Sequence, residues 1–177
     1  MKKIIGITLA VLGLAAIASA QDVRYNFDKD TDFSKFKTYK WVEMPGGVKL
    51  DDLLARQLTS AIEAGLTTKG LSKVDSDTAD LYIGYQVAVQ QERQIQAYGT
   101  GGFGMGPRWG GGMATATTST LTIGSLALDM NEVVSKHLVW RGTATKTVDP
   151  NVKPDKRQQN ITKGVTKLLK NYPPAKK

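Results

Sequence analysis

The chain has 177 residues, 24 basic and 16 acidic side chains, a formal net charge of +8, one histidine and no cysteine. The missing thiols exclude a disulfide framework, a cysteine nucleophile, a thiolate-held metal and lipid attachment to a cysteine. The Lys and Arg residues are scattered, with no run interleaved by aromatics, which argues against nucleic acid as a partner.

Residues 1–20 read as a cleavable signal peptide. Lys2 and Lys3 give a positive start, Ile4 to Ile17 form an apolar run too short to span a bilayer, and Ala18-Ser19-Ala20 supplies the small residues that a signal peptidase requires. Cleavage after Ala20 would leave residues 21–177, 157 of the 177, enough for one domain with its own core. Lys2 and Lys3 go with the leader, so 22 basic and 16 acidic residues remain and the net charge is +6. The sequence thus predicts a periplasmic or secreted protein, without a covalent lipid anchor and with at most peripheral membrane contact.

Val23, Tyr25 and Phe27 alternate with polar neighbours and predict a first strand. An acidic turn, Asp28 to Asp32, leads to a second strand through Tyr39 and Trp41, which Pro45-Gly46-Gly47 ends. From Leu50 the period becomes helical: Leu50, Leu53, Leu54, Leu58, Ala61, Ile62 and Leu66 share a stripe, with Arg56, Gln57, Ser60 and Glu63 facing away. Asp51 and Asp52 suit the helix N-terminus and Lys69-Gly70 its stop. Leu71 to Val74 reads as a short strand. Leu81, Ile83, Tyr85, Val87 and Val89 then alternate strictly, a long strand with one buried face.

Residues 98–113 form a glycine-rich interruption, and a Thr-rich strand begins near Ala114. Leu121 and Ile123 lie on one parity of that strand, Leu126 and Leu128 on the other, so a bulge is expected at Gly124-Ser125. A strand containing Leu138, Trp140, Gly142 and Ala144 follows. The last helix carries Ile161, Val165, Leu168, Leu169 and Tyr172 on one stripe and stops at Pro173-Pro174. The order predicts an α+β fold: an antiparallel sheet of about five to six strands with two helices packed on one face.

Chemical constellations are sparse. Gly99, Gly101 and Gly104 have the spacing of a dinucleotide-binding turn, but a strand follows where the phosphate site needs a helix. Asp28, Asp30 and Asp32 open like a calcium loop, yet Phe33 and Tyr39 stand where a glycine and a bidentate glutamate are required. His137 has no second imidazole for a metal and no nucleophile turn for a relay. No metal, cofactor or catalytic set is predicted. Trp41, Tyr85 and Trp140 read as core. In the last helix Lys156, Arg157, Lys163, Lys167 and Lys170 read as a solvated face, with an anionic surface as the alternative. Tyr98, Phe103, Met105, Arg108 and Trp109, set among glycines, are the candidate contact residues, because aromatic and apolar side chains on a loop can insert into a partner.

Several stretches together resemble the bacterial domain of unknown function 4136 family. They are Asp32-Phe33-Ser34-Lys35-Phe36-Lys37-Thr38-Tyr39-Lys40-Trp41, the helix ending Leu66-Thr67-Thr68-Lys69-Gly70-Leu71, and the strand Ala79-Asp80-Leu81-Tyr82-Ile83-Gly84-Tyr85. Leu138-Val139-Trp140-Arg141-Gly142 and the final Tyr172-Pro173-Pro174 complete the set. The resemblance implies an exported envelope protein and carries no catalytic residues. Many members have a lipoprotein cysteine, which this chain lacks. Arg141 beside Trp140 is part of the family motif, and a fold role, through an ion pair or a stacked ring, explains it as well as a site would.

The sequence therefore predicts a non-enzymatic, envelope-associated domain that binds a protein partner or an envelope component. Two rivals stand beside it: a small-ligand carrier or enzyme with a pocket between sheet and helices, and a structural subunit assembling through an open sheet edge.

Overall fold

The computed structural model describes residues 21–98 and 115–175. The predicted signal peptide, and the tip residues between 99 and 114, lie outside them. The elements are β1 (Asp22–Phe27), β2 (Thr38–Trp41), α1 (Asp52–Thr68), β3 (Ser72–Lys73), β4 (Leu81–Tyr98), β5 (Thr115–Glu132), β6 (Leu138–Val148) and α2 (Pro154–Leu168), with short 3₁₀ turns at Phe33–Lys35 and Leu169–Asn171. One six-stranded sheet has the order β1-β6-β5-β4-β2-β3.

The α+β class holds, but the sheet is mixed rather than antiparallel. β1, β6, β5 and β4 pair antiparallel, whereas β2 lies parallel to both β4 and β3. The reason is α1: it separates β2 from β3, and parallel neighbours require a long crossover of that kind. Asp80 fixes the start of β2, because one of its carboxylate oxygens accepts from Lys37 N, Thr38 N and Thr38 Oγ1 at 2.8, 2.8 and 2.9 Å. The Lys37 amide leads in holding the Asp80 pKa below the usual carboxylate range, burial opposing it.

The ends of α1 are set as their residues dictate. The Asp51 carboxylate accepts from Leu53 N and Leu54 N at 3.1 and 3.0 Å, filling two orphan amides. At the other end Leu71 N donates to Leu66 O and Gly70 N to Thr67 O, a Schellman motif with Gly70 at φ +82°. Leu58, Ile62 and Leu66 are buried, as the stripe predicts. Leu53 is not: it is 66% exposed, almost half a turn from Ile62. Glu63 is not purely solvated either. It accepts from Trp41 Nε1 at 2.8 Å and pairs with Lys73 at 3.0 Å.

The core lies between one sheet face and the two helices. Tyr39, Leu81, Ile83, Leu128, Met130 and Trp140 meet Ile62 and Leu66 of α1 and Val165 and Leu168 of α2. Trp140 is wholly buried and meets Tyr172 edge-to-face, with centroids 5.6 Å apart. A side chain of this size contributes about 3–5 kcal/mol by its burial. Trp41 and Tyr85 are half-buried partners in a similar contact at 5.9 Å.

No bulge occurs at Gly124-Ser125. The β4–β5 register runs through it, and Leu121 and Ile123 stay half-buried on the face away from the helices. The register shift falls between Met130 and Asn131, where β6 carries Val139 as an extra residue. The swap of apolar parity places half-buried side chains on both faces of β5 and involves no inserted residue.

Two glycines separate packing from backbone effects. At Gly142 a Cβ would overlap the Trp140 ring and lie 2.8 Å from Leu168 Cδ1, whereas at Gly70 it would meet nothing within 4 Å. Gly142→Ala is expected to cost about 2–3 kcal/mol through overpacking. Gly70→Ala costs about 1 kcal/mol, through its left-handed backbone alone. Urea unfolding of both variants checks the order, and equal losses would contradict the close approach at Gly142.

Candidate functional site

The strands that carry the predicted contact segment are the longest in the fold. β4 and β5 pair without interruption from Leu81↔Glu132 to Tyr98↔Thr115. β6 accompanies β5 only as far as Thr122↔Val148. On the other side of β4, among the described residues, the last backbone bond comes from Val48 N to Val87 O at 2.8 Å. Beyond these points seven pairs, Glu92↔Leu121 to Tyr98↔Thr115, form a ribbon of two strands. At roughly 3.4 Å per residue it runs about 24 Å past the sheet.

The local sequence explains the ribbon. Thr115–Leu121 reads Thr-Ala-Thr-Thr-Ser-Thr-Leu, dominated by the β-branched residue that packs on a pleated surface. The facing strand keeps its extended backbone with Gln, Ile and Tyr. Glu92, Arg93, Gln94, Thr118, Ser119 and Thr120 are exposed. Where the sheet narrows, Val89 is 48% and Val148 39% exposed. Among the described residues no further strand pairs with this part of β4 or β5, which leaves the backbone groups along both edges of the ribbon open to pairing.

Of the five predicted contact residues, the structure places Tyr98 as the last residue of β4, opposite Thr115. Phe103, Met105, Arg108 and Trp109 lie outside the described residues. The predicted segment therefore joins the two arms of one hairpin, at the far end of the ribbon.

A second polar feature sits on the face away from the helices. Asp129 of β5 is 3% exposed and lies opposite Arg141 of β6 and Gly84 of β4. Arg141 grips it with both arms, Nε to Oδ1 at 2.6 Å and Nη2 to Oδ2 at 2.5 Å. The hydrogen bond to Asp129 raises the Arg141 pKa further. Arg141 thus forms an ion pair, the first of the two roles expected for it. Asp129 is missing from the sequence reading. Its signal is a single carboxylate in an apolar run, at a parity shared with an arginine on the next strand. An open cleft of about 300 Å³ at the β1–β6 edge includes Asn26, Asp28, Val139 and Arg141.

The remaining candidates are accounted for locally. Asp28 accepts from Asp30 N and Thr31 Oγ1 at 3.1 and 2.7 Å, and Asp32 accepts from Ser34 N and Oγ at 3.2 and 2.7 Å. Their carboxylates serve the turn, and no metal-holding cluster occurs among the described residues. His137 is exposed next to the start of β6.

With this geometry in place, the profile of a domain of unknown function, DUF4136, matches residues 23–174. The chain belongs to the DUF4136 family. No curated protein matches the chain. Among solved structures, a PDZ domain protein from Parabacteroides distasonis is 16% identical with a TM-score of 0.54, over 89% of this chain. The chain spans only 37% of that protein's length. PelC dodecamers from Paraburkholderia phytofirmans are 12% identical, with TM-scores of 0.51 and 0.50, over 85% of this chain and 95% of theirs. At these identities the likeness is one of fold.

The ion pair generates a prediction about asymmetry. Arg141 is half-exposed whereas Asp129 is buried. Arg141→Ala strands a buried carboxylate and is expected to cost about 3 kcal/mol. Asp129→Asn leaves an arginine free to turn to water and costs less. Denaturant unfolding distinguishes them; a larger loss in Asp129→Asn would contradict this assignment.

Proposed function

We propose that this DUF4136 protein is an exported, non-enzymatic accessory domain of the bacterial cell envelope that binds a protein partner through the β4–β5 ribbon and the segment at its tip. In this reading it is periplasmic or secreted after cleavage following Ala20. The observation that carries it is the ribbon itself. Two strands without a third, or a helix against them, are marginal in water. Seven pairs running past the sheet therefore gain most from a partner that pairs with an open edge or packs on a face. The aromatic and apolar tip residues Phe103, Met105 and Trp109 add chemistry suited to such a contact.

Side-chain filling supports the non-enzymatic part. The interior between sheet and helices is taken up by Ile62, Leu66, Leu81, Ile83, Leu128 and Met130, each without exposed surface. That weighs against a carrier or enzyme pocket there. One comparison favours a second reading, in which the partner is another copy of the chain: the PelC proteins of similar fold are dodecamers.

Deleting residues 99–113 and closing the hairpin with a two-residue turn tests the reading. The variant is expected to keep its unfolding midpoint and its export, with the exported chain beginning at Gln21, and to lose the partner captured by the parent after cross-linking in the periplasm. Retention of the same partner by the folded variant would overturn the tip's role.

A further inference from the structure

We propose that the outer face of α2 is an electrostatic docking surface for an anionic lipid bilayer. It is separate from the ribbon and does not rest on its function. Lys156, Lys163, Lys167 and Lys170 are all exposed. On a helix turning 100° per residue the three on α2 fall within about 40° of one another, along roughly 16 Å of its length, and Lys170 follows in the 3₁₀ turn Leu169–Asn171. Among the described residues none of the four forms an ion pair, although lysines elsewhere find Glu63, Asp77 and Glu132. The single acidic residue of α2, Asp155, lies about a quarter turn to the side. Lys69 at the end of α1 adds a fifth cation, its Nζ donating to the Lys170 carbonyl at 3.3 Å.

The shape of this stripe selects the partner. The residues between the lysines on this face, Gln159, Asn160 and Thr166, are small or neutral, with no ring on which a base or sugar could stack and no groove to read a polymer. The apolar side of the helix is committed to the core through Val165 and Leu168. What remains is a straight, convex row of positive charge. A bilayer fits it, because its anionic head groups move laterally and can gather beneath each ammonium. The contact is adsorption at the surface, not insertion.

Vesicle co-sedimentation of the protein purified from the periplasm tests this, using phosphatidylglycerol mixed with phosphatidylethanolamine against neutral phosphatidylcholine. Binding to the anionic vesicles only is expected, weakening as salt rises. Each lysine is worth about fivefold, from roughly 1 kcal/mol per basic residue near such a surface. Lys163→Gln with Lys167→Gln should therefore bind about 25-fold more weakly. The 99–113 deletion should bind as the parent does, which separates this surface from the ribbon. Unchanged binding in the double variant, equal binding to neutral vesicles, or loss in the deletion would overturn the proposal. Tighter binding of soluble polygalacturonate, lost in the same double variant, would overturn the lipid as its source.

Discussion

The unbroken pairing of β4 with β5 is the constraint on which the rest of the molecule depends. It holds Leu81 and Ile83 beside Met130 and Leu128 under the helices. It places Asp129 where Arg141 of the next strand can grip it, and it carries the same ladder far beyond the last residue of β6. A slip of one residue would turn the whole apolar set of one strand to the wrong face. Core, ion pair and ribbon are thus three consequences of one register.

The helices complete the core by close approach. Gly142 lets Leu168 settle against the Trp140 ring, and Gly65 does the same where α1 meets Val165 and Leu169. Phe33 links this packing to the N-terminal segment, touching Phe36 and Tyr172 edge-to-face at 5.9 Å each. The opposite face is built differently. Met44 lies over Gly84, and Val42 N donates to Ile83 O at 2.9 Å, so the chain after β2 continues along β4 as irregular backbone.

Much of this was legible in the residues. Periodicity placed α1 and α2, the Asp51 cap and the Gly70 stop were visible as types, and strict alternation marked the buried part of β4. Pairing direction was not legible, because alternation reports which face is buried and says nothing of which way a neighbour runs. Leu53 misled for a related reason: a leucine beside a helical stripe counts toward it until the neighbouring layer is known. Leu121 and Ile123 suggested a bulge because their parity changes, while the real extra residue, Val139, is hidden in an apolar run. Of the site, only the aromatic tip segment stood out. The ribbon arises from β6 ending at Val148, a relation between two distant strands. The lysine row along α2 and the turn after it was visible residue by residue, but that it forms no ion pair among the described residues emerged only with the neighbours in place.

Cross-strand disulfide trapping tests the central register most directly. Gln94 lies opposite Ser119 in the two-stranded part, and opposed residues in antiparallel strands sit about 4.5–5.5 Å apart, within disulfide reach. The chain contributes no thiol of its own, so Gln94→Cys with Ser119→Cys reports this pair alone. The continuous register predicts that mild oxidation closes an intramolecular bond nearly completely, and that Gln94→Cys with Gln90→Cys, on the same strand, does not close. A 94–119 pair that stays reduced, or cross-links only between molecules, would contradict the ribbon and the account built on it.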